Sequence, residues 1–163
     1  EKEDGSGNVS SDSVNHEKMV HLRQEKVDGI ANDIPELKVE GEQEGDILML
    51  SWGSTYGAAK TAYERLRASG HQLSFAHLRY MNPFPRNLGD ILNRFQRVVV
   101  PELNLGQLQL LLQGKYLKKI IGIHKVQGKL FKSTELEREL LAFVRGKPAV
   151  PASPPALPGP TTT

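Results

Sequence analysis

Three short segments hold the residue types on which chemistry could be built: Gly53-Ser54-Thr55-Tyr56-Gly57, Arg79-Tyr80-Met81-Asn82-Pro83-Phe84-Pro85, and Pro101-Glu102-Leu103-Asn104-Leu105-Gly106-Gln107. The first offers backbone N–H groups and two hydroxyls before a helix-forming stretch, an arrangement that attracts anions. It has neither the Lys-Ser/Thr ending of a phosphate loop nor the spacing of a dinucleotide fingerprint. A tight turn eased by Gly53 and Gly57, with Ser54 or Thr55 capping the next helix, accounts for the same residues. Glu102 is a lone carboxylate with no evident partner for acid–base work, so with Asn104 and Gln107 it is expected in structural hydrogen bonding or at an interface. Arg79, Asn82 and Pro83 have the same character, polar groups on a backbone stiffened by proline. The five histidines, His16, His21, His71, His77 and His124, show no metal-ligand spacing. His77 and His124 are expected inside strands, partly buried and hydrogen-bonded. No catalytic, cofactor-binding or metal-ligating residue is assigned in this chain.

Each of those segments follows an apolar run, and the runs are evenly spaced. Asp46–Trp52, Leu73–Arg79, Arg97–Val100 and Ile120–His124 read as strands, and their starts lie a βα unit apart. Between them, Ala58, Ala59, Ala62 and Leu66 mark one helix face, closed by Gly70. Leu88, Ile91, Leu92 and Phe95 mark a second face, and Leu105, Leu108, Leu111 and Leu112 a third. Thr134 with Glu137 three residues on predicts a capping box for a last helix carrying Leu136, Leu140 and Phe143. Upstream, Asn15–Ala31 has Met19, Leu22, Val27 and Ile30 at near-helical spacing, with Asn15 as its cap, and Leu37–Val39 reads as a short edge strand. The rhythm predicts an α/β domain with helices on both faces of a mostly parallel sheet. In a parallel sheet the three polar segments share the edge at the strands' C-terminal ends, where α/β folds dock ligands and partners.

The expected organisation is a flexible acidic leader over 1–13, a leader helix and edge segment over 14–45, the α/β domain over 46–146, and a proline-rich disordered tail over 147–163. Composition supports a globular body: 38% of the 163 residues are hydrophobic and 25% charged. Residues 1–46 carry 13 acidic and 5 basic side chains, and residues 47–163 carry 6 and 16. A basic body suits an anionic partner, unless the leader lies across it and neutralises it. Lys115, Lys118, Lys119, Lys125, Lys129 and Lys132 form a band with few interleaved aromatics, so no nucleic-acid partner is expected. The absence of cysteine excludes thiolate chemistry and cysteine-ligated clusters within this sequence. No run has the length of a membrane span and no export signal opens the sequence, so a cytoplasmic location away from membranes is expected.

The motifs GSTYG, LRYMNPFP and PELNLGQL, in this order and spacing, resemble the C-terminal domain of the α subunit of 2-oxoacid:ferredoxin oxidoreductases, particularly the 2-oxoglutarate type. Gly7-Asn8-Val9-Ser10, Asn15-His16 and Met19 through Lys26 resemble the segment preceding that domain. The resemblance covers about residues 5–146. It implies a three-layer α/β/α fold with a mixed five-stranded sheet, like the transketolase C-terminal domain. It also implies a complex that oxidatively decarboxylates a 2-oxoacid to an acyl-CoA and reduces ferredoxin. Thiamine diphosphate, magnesium, an iron–sulfur cluster and CoA are then expected in the complete complex and none of them in this chain. Its partners are the remaining α-subunit domains and the β subunit. With those domains absent from this sequence, the chain alone is expected to be inactive. A free-standing, non-catalytic binding or regulatory relative of the same fold is the alternative. On the main reading Tyr56 and Glu102 lie at the docking edge, where truncating Tyr56 or changing Glu102→Lys is expected to weaken association while barely affecting the free domain.

Overall fold

The computed structural model describes residues 1–144; the predicted proline-rich tail lies outside the described residues. Helix α1 (Ser13–Gly29) leads into a 3-10 turn, Ile30–Asn32. A regular alternation follows: β1 (Val39–Glu40), β2 (Gly45–Trp52), α2 (Tyr56–Ala68), β3 (Ser74–Leu78), α3 (Leu88–Asn93), β4 (Phe95–Glu102), α4 (Gln107–Tyr116), β5 (Ile120–His124) and α5 (Ser133–Val144). The strands form one sheet in the order β1-β3-β2-β4-β5. All neighbours are parallel except the edge strand β1, which runs antiparallel to β3 through Val39–Ala76 and Glu40–Phe75. The architecture is therefore the expected three-layer α/β/α with a mixed five-stranded sheet.

Alternation along the strands divides the core into two layers. Leu48 and Leu50 of β2 and Val98 and Val100 of β4 pack with α3 and α4 on one face. Ile47, Met49, Phe75 and Val99 pack with α2 and α5 on the other. Arg97 on β4 joins the second layer at its edge, paired with Asp46 at the start of β2 and donating to the Phe143 carbonyl of α5 at 2.8 Å. The helix after β2 thus lies on one face, whereas those after β3 and β4 lie on the other. That divergence opens a crevice at the C-terminal end of β2.

Several elements depart from expectation. β4 begins at Phe95 and ends at Glu102, so Phe95 belongs to a strand and not to the preceding helix. Pro101 is tolerated inside β4 because the register with β2 stops at Met49–Val99, so its missing N–H falls beyond that ladder. In α4 the buried face is Leu108 and Leu112 alone; Leu105 is 84% and Leu111 50% exposed. Leu105 lies ahead of the left-handed Gly106 and outside the helix, and Leu111 sits at the margin of the covered face. α5 starts at Ser133, and it is Glu135, not Glu137, that reaches back to a backbone N–H, that of Lys132, at 2.9 Å. Glu137 pairs instead with Arg65 of α2 at 3.0 Å.

The leader differs too. Residues 1–10 turn back on themselves through a Lys2–Val9 bridge, and Arg23 grips Glu1 with two bonds of 2.9 and 3.0 Å. Asp12, not Asn15, caps α1, accepting the Asn15 N–H at 2.8 Å. α1 buries no residue, and its side of the charge balance is met within the leader. The body is neutralised in part by the next stretch, where Glu40, Glu42 and Asp46 pair with Lys60, Arg67 and Arg97.

The neighbours Leu111 and Leu112 test this register. Leu112→Ala should cost about 3 kcal/mol in chemical denaturation and Leu111→Ala less than about 0.5 kcal/mol; similar losses at both would contradict the observed face.

Candidate functional site

The crevice at the end of β2 holds a cleft of about 490 Å³ lined by Trp52, Gly53, Tyr56, His77, Leu78, Arg79 and Met81. β2 and β3 set its floor because Ser51 and His77 are register partners, as are Trp52 and Leu78. Ser51 Oγ lies 2.8 Å from His77 Nδ1 and is fully buried. Tyr56, the first residue of α2, sets its ring edge-on to the imidazole at 4.7 Å. Burial, and then the positive charge of Arg79, hold His77 below its ordinary value of 6.5. Both effects favour the uncharged form of the ring, which shares a hydrogen bond with Ser51. His124 is different: it is exposed at the end of β5, and its ring covers Gly122, where a Cβ would meet Nε2 at 2.1 Å.

The eleven candidate residues have unequal fates. Gly53, Tyr56 and Arg79 line the cleft, and Ser54 and Gly57 are exposed beside it. Gly53 has φ +53°, a conformation glycine adopts without strain. Thr55 is buried; its hydroxyl donates to the Trp52 carbonyl at 2.7 Å and accepts from the Trp52 N–H at 3.2 Å. Asn82 is exposed and Pro83 buried, joined by a cis peptide.

Glu102 does not reach this surface. It is fully buried, and its carboxylate accepts the N–H groups of Leu108 at 2.8 Å and Gln109 at 2.9 Å. Asn104 Oδ1 accepts those of Gly106 and Gln107 at 2.8 and 2.9 Å. Together they satisfy the otherwise orphaned donors of the α4 N-terminus, where negative charge is also favoured by the helix dipole. Gln107 is exposed as the first residue of α4. The expected surface role of Glu102 is thus corrected: a carboxylate buried this deeply is stable only because backbone donors hold it. Part of the lysine band is structural as well, with Lys118 donating to the Phe95 carbonyl at 2.7 Å and Lys125 to Glu135 at 2.7 Å.

A family model described as pyruvate:ferredoxin oxidoreductase core domain II matches residues 45–135, from β2 into α5. The chain belongs to that family. The 2-oxoglutarate oxidoreductase subunit KorA of Mycobacterium tuberculosis is 45% identical over 148 residues, 90% of this chain and 22% of that protein. The 2-oxoglutarate synthase subunit KorA of Methanocaldococcus jannaschii is 33% identical over 77% of this chain and 34% of that protein. Among solved structures, the 2-oxoglutarate:ferredoxin oxidoreductase from Magnetococcus marinus, with 2-oxoglutarate, coenzyme A and succinyl-CoA bound, superposes with a TM-score of 0.80. That match has 25% identity and covers 88% of this chain and 26% of that one. The chain spans between about a fifth and a third of the length of these relatives.

Trp52, His77 and Met81 line the cleft without having been assigned to it from sequence. Nothing in their spacing announces it, because β2 and β3 bring together residues 26 positions apart, as in the Ser51–His77 pair. The cleft's side chains include no carboxylate or carboxamide, so they do not fit a magnesium diphosphate group. Among the described residues, no group of three or more His, Cys, Asp or Glu could hold a metal ion, and no helix is long and apolar enough to cross a membrane.

Removing the α4 cap should be expensive: Glu102→Ala should lose about 3 kcal/mol of stability, read by urea denaturation of the free chain. Glu102→Lys should lose at least as much before any partner is added. The histidine gives a pH signature. With the folded-state value below 6.5, the unfolded chain takes up the proton first, so stability declines as pH falls through and below that value. The difference in Tm between His77→Gln and the natural chain should therefore move in the variant's favour between roughly pH 7 and pH 5; a flat difference would contradict a half-buried ring that disfavours its proton.

Proposed function

We propose that this chain is the interface domain of the α subunit of a 2-oxoacid:ferredoxin oxidoreductase acting on 2-oxoglutarate. The observation that carries the reading is the 45% identity to a KorA subunit sustained over 90% of the chain. In the complete complex, thiamine diphosphate with magnesium, an iron–sulfur cluster and CoA serve the oxidative decarboxylation, and ferredoxin accepts the electrons. These groups reside on the remaining α-subunit domains and the β subunit. The complex works in the cytoplasm, away from membranes and nucleic acid.

The role of the chain itself follows from how its polar groups are employed. Glu102 is committed to the α4 N-terminus and His77 faces a buried serine, which leaves neither poised for proton transfer to a substrate. What the strand ends do offer is an edge held rigid by capped turns, suited to contact and positioning. The domain docks there against the rest of the subunit and shapes the active-site assembly from outside.

Co-purification from the native source, with partners identified by mass, tests the reading. The expected result is a complex containing the remaining α-subunit domains and a cysteine-bearing β subunit that turns over 2-oxoglutarate with ferredoxin. The isolated chain should show no decarboxylation above background with thiamine diphosphate, CoA and a viologen. Turnover by the chain alone, or purification without those subunits, would refute it.

A further inference from the structure

Six of the eight arginines among the described residues donate to an acceptor or pair with a carboxylate: Arg23, Arg65, Arg67, Arg86, Arg97 and Arg138. Arg79 and Arg94 make no such side-chain contact. Arg79 stands out because it lines the cleft, and the cleft walls hold no carboxylate to answer it. The neighbouring groups are hydrophobic or aromatic. Tyr56 is 43% exposed, Met81 lines the cleft and is exposed as well, and Tyr80 is exposed between Arg79 and Met81 in the chain.

Resting on the function proposed above, we infer that this cleft is a socket for an acidic side chain, carried on an apolar-flanked loop of the remaining α-subunit domains. Charge complementarity carries the assignment: one unpaired guanidinium set among Trp, Tyr and Met is the composition of an interface hot spot. A carboxylate entering between Tyr56 and Met81 meets Arg79, whose planar fork donates to both oxygens. Its apolar flank covers Tyr80 and Met81 and excludes water from the ion pair. A phosphorylated small molecule is the poorer occupant, since the cleft has a single arginine and no second fixed cation for a multiply charged group.

Trp52 supplies the readout, because it is the only tryptophan of the chain and forms a wall of the cleft. The full chain labelled with fluorotryptophan gives one fluorine resonance. Binding to the native partner subunits is measured for the natural chain, Arg79→Gln and, as a control, Arg94→Gln, the other unpaired arginine, which lies outside the cleft at the end of α3. Arg79→Gln should weaken association about 10- to 100-fold, Arg94→Gln should leave it unchanged, and the resonance should shift on assembly. Since Arg79 is exposed and unpaired, its variant should keep the natural Tm. Association that is equally tight in Arg79→Gln, with an unmoved resonance, overturns the socket while leaving the proposed function standing. Failure of the natural chain to associate overturns both. A resonance shift in the free chain on adding micromolar inorganic diphosphate overturns the socket in favour of a small-anion site.

Discussion

The central strand has no face open to solvent, and the rest of the structure is arranged around that constraint. From Ile47 to Ser51 every residue of β2 is buried. A strand covered on both faces must have helices on both sides, and its backbone must find partners along both edges. β3 and β4 supply those edges. Because α2 leaves β2 toward one layer while α3 and α4 fill the other, the chain parts at the end of β2. The cleft is the geometric result of that parting.

A second constraint acts on the polar groups that look chemically promising. Buried donors and acceptors must be satisfied within the protein, and here the candidates are mostly consumed in that way. Glu102 and Asn104 account for four backbone N–H groups around the start of α4. Thr55 closes the turn after β2 on Trp52. Ser51 and His77 face one another across two strands. The result is an edge whose turns are tied down by their own hydrogen bonds. Arg79 is the exception, a charge held at the edge without a partner.

The strands β2, β3 and β5 were legible from apolar runs because each is short, buried and bounded by turn residues. The edge strand, expected over Leu37–Val39, forms at Val39–Glu40, so its existence was legible and its start was not. The α4 face was not: Leu105, Leu108, Leu111 and Leu112 are chemically alike, yet the turn at Gly106 leaves Leu105 outside the helix, and within it only Leu108 and Leu112 are covered. The box at Thr134 failed for a different reason: α5 begins one residue earlier, at Ser133, so Thr134 lies inside the helix, Glu135 takes the Lys132 N–H, and Glu137 pairs with Arg65 on α2. Asp12 displaced Asn15 as the cap of α1 because a helix that buries nothing starts wherever a local acceptor suits it.

The sequence by itself determined the α/β class, the polar segments at the strand ends and the membership of the 2-oxoacid oxidoreductase family, since these rest on local runs, turns and motif order. Only the tertiary structure decided which of those polar residues face outward. Glu102 and Tyr56 look equally suited to an interface in the linear chain. Folding places one beneath α4, where two backbone donors hold it, and the other on the rim of a cleft. The difference lies in register across strands far apart in sequence, and a linear pattern carries no information about that distance.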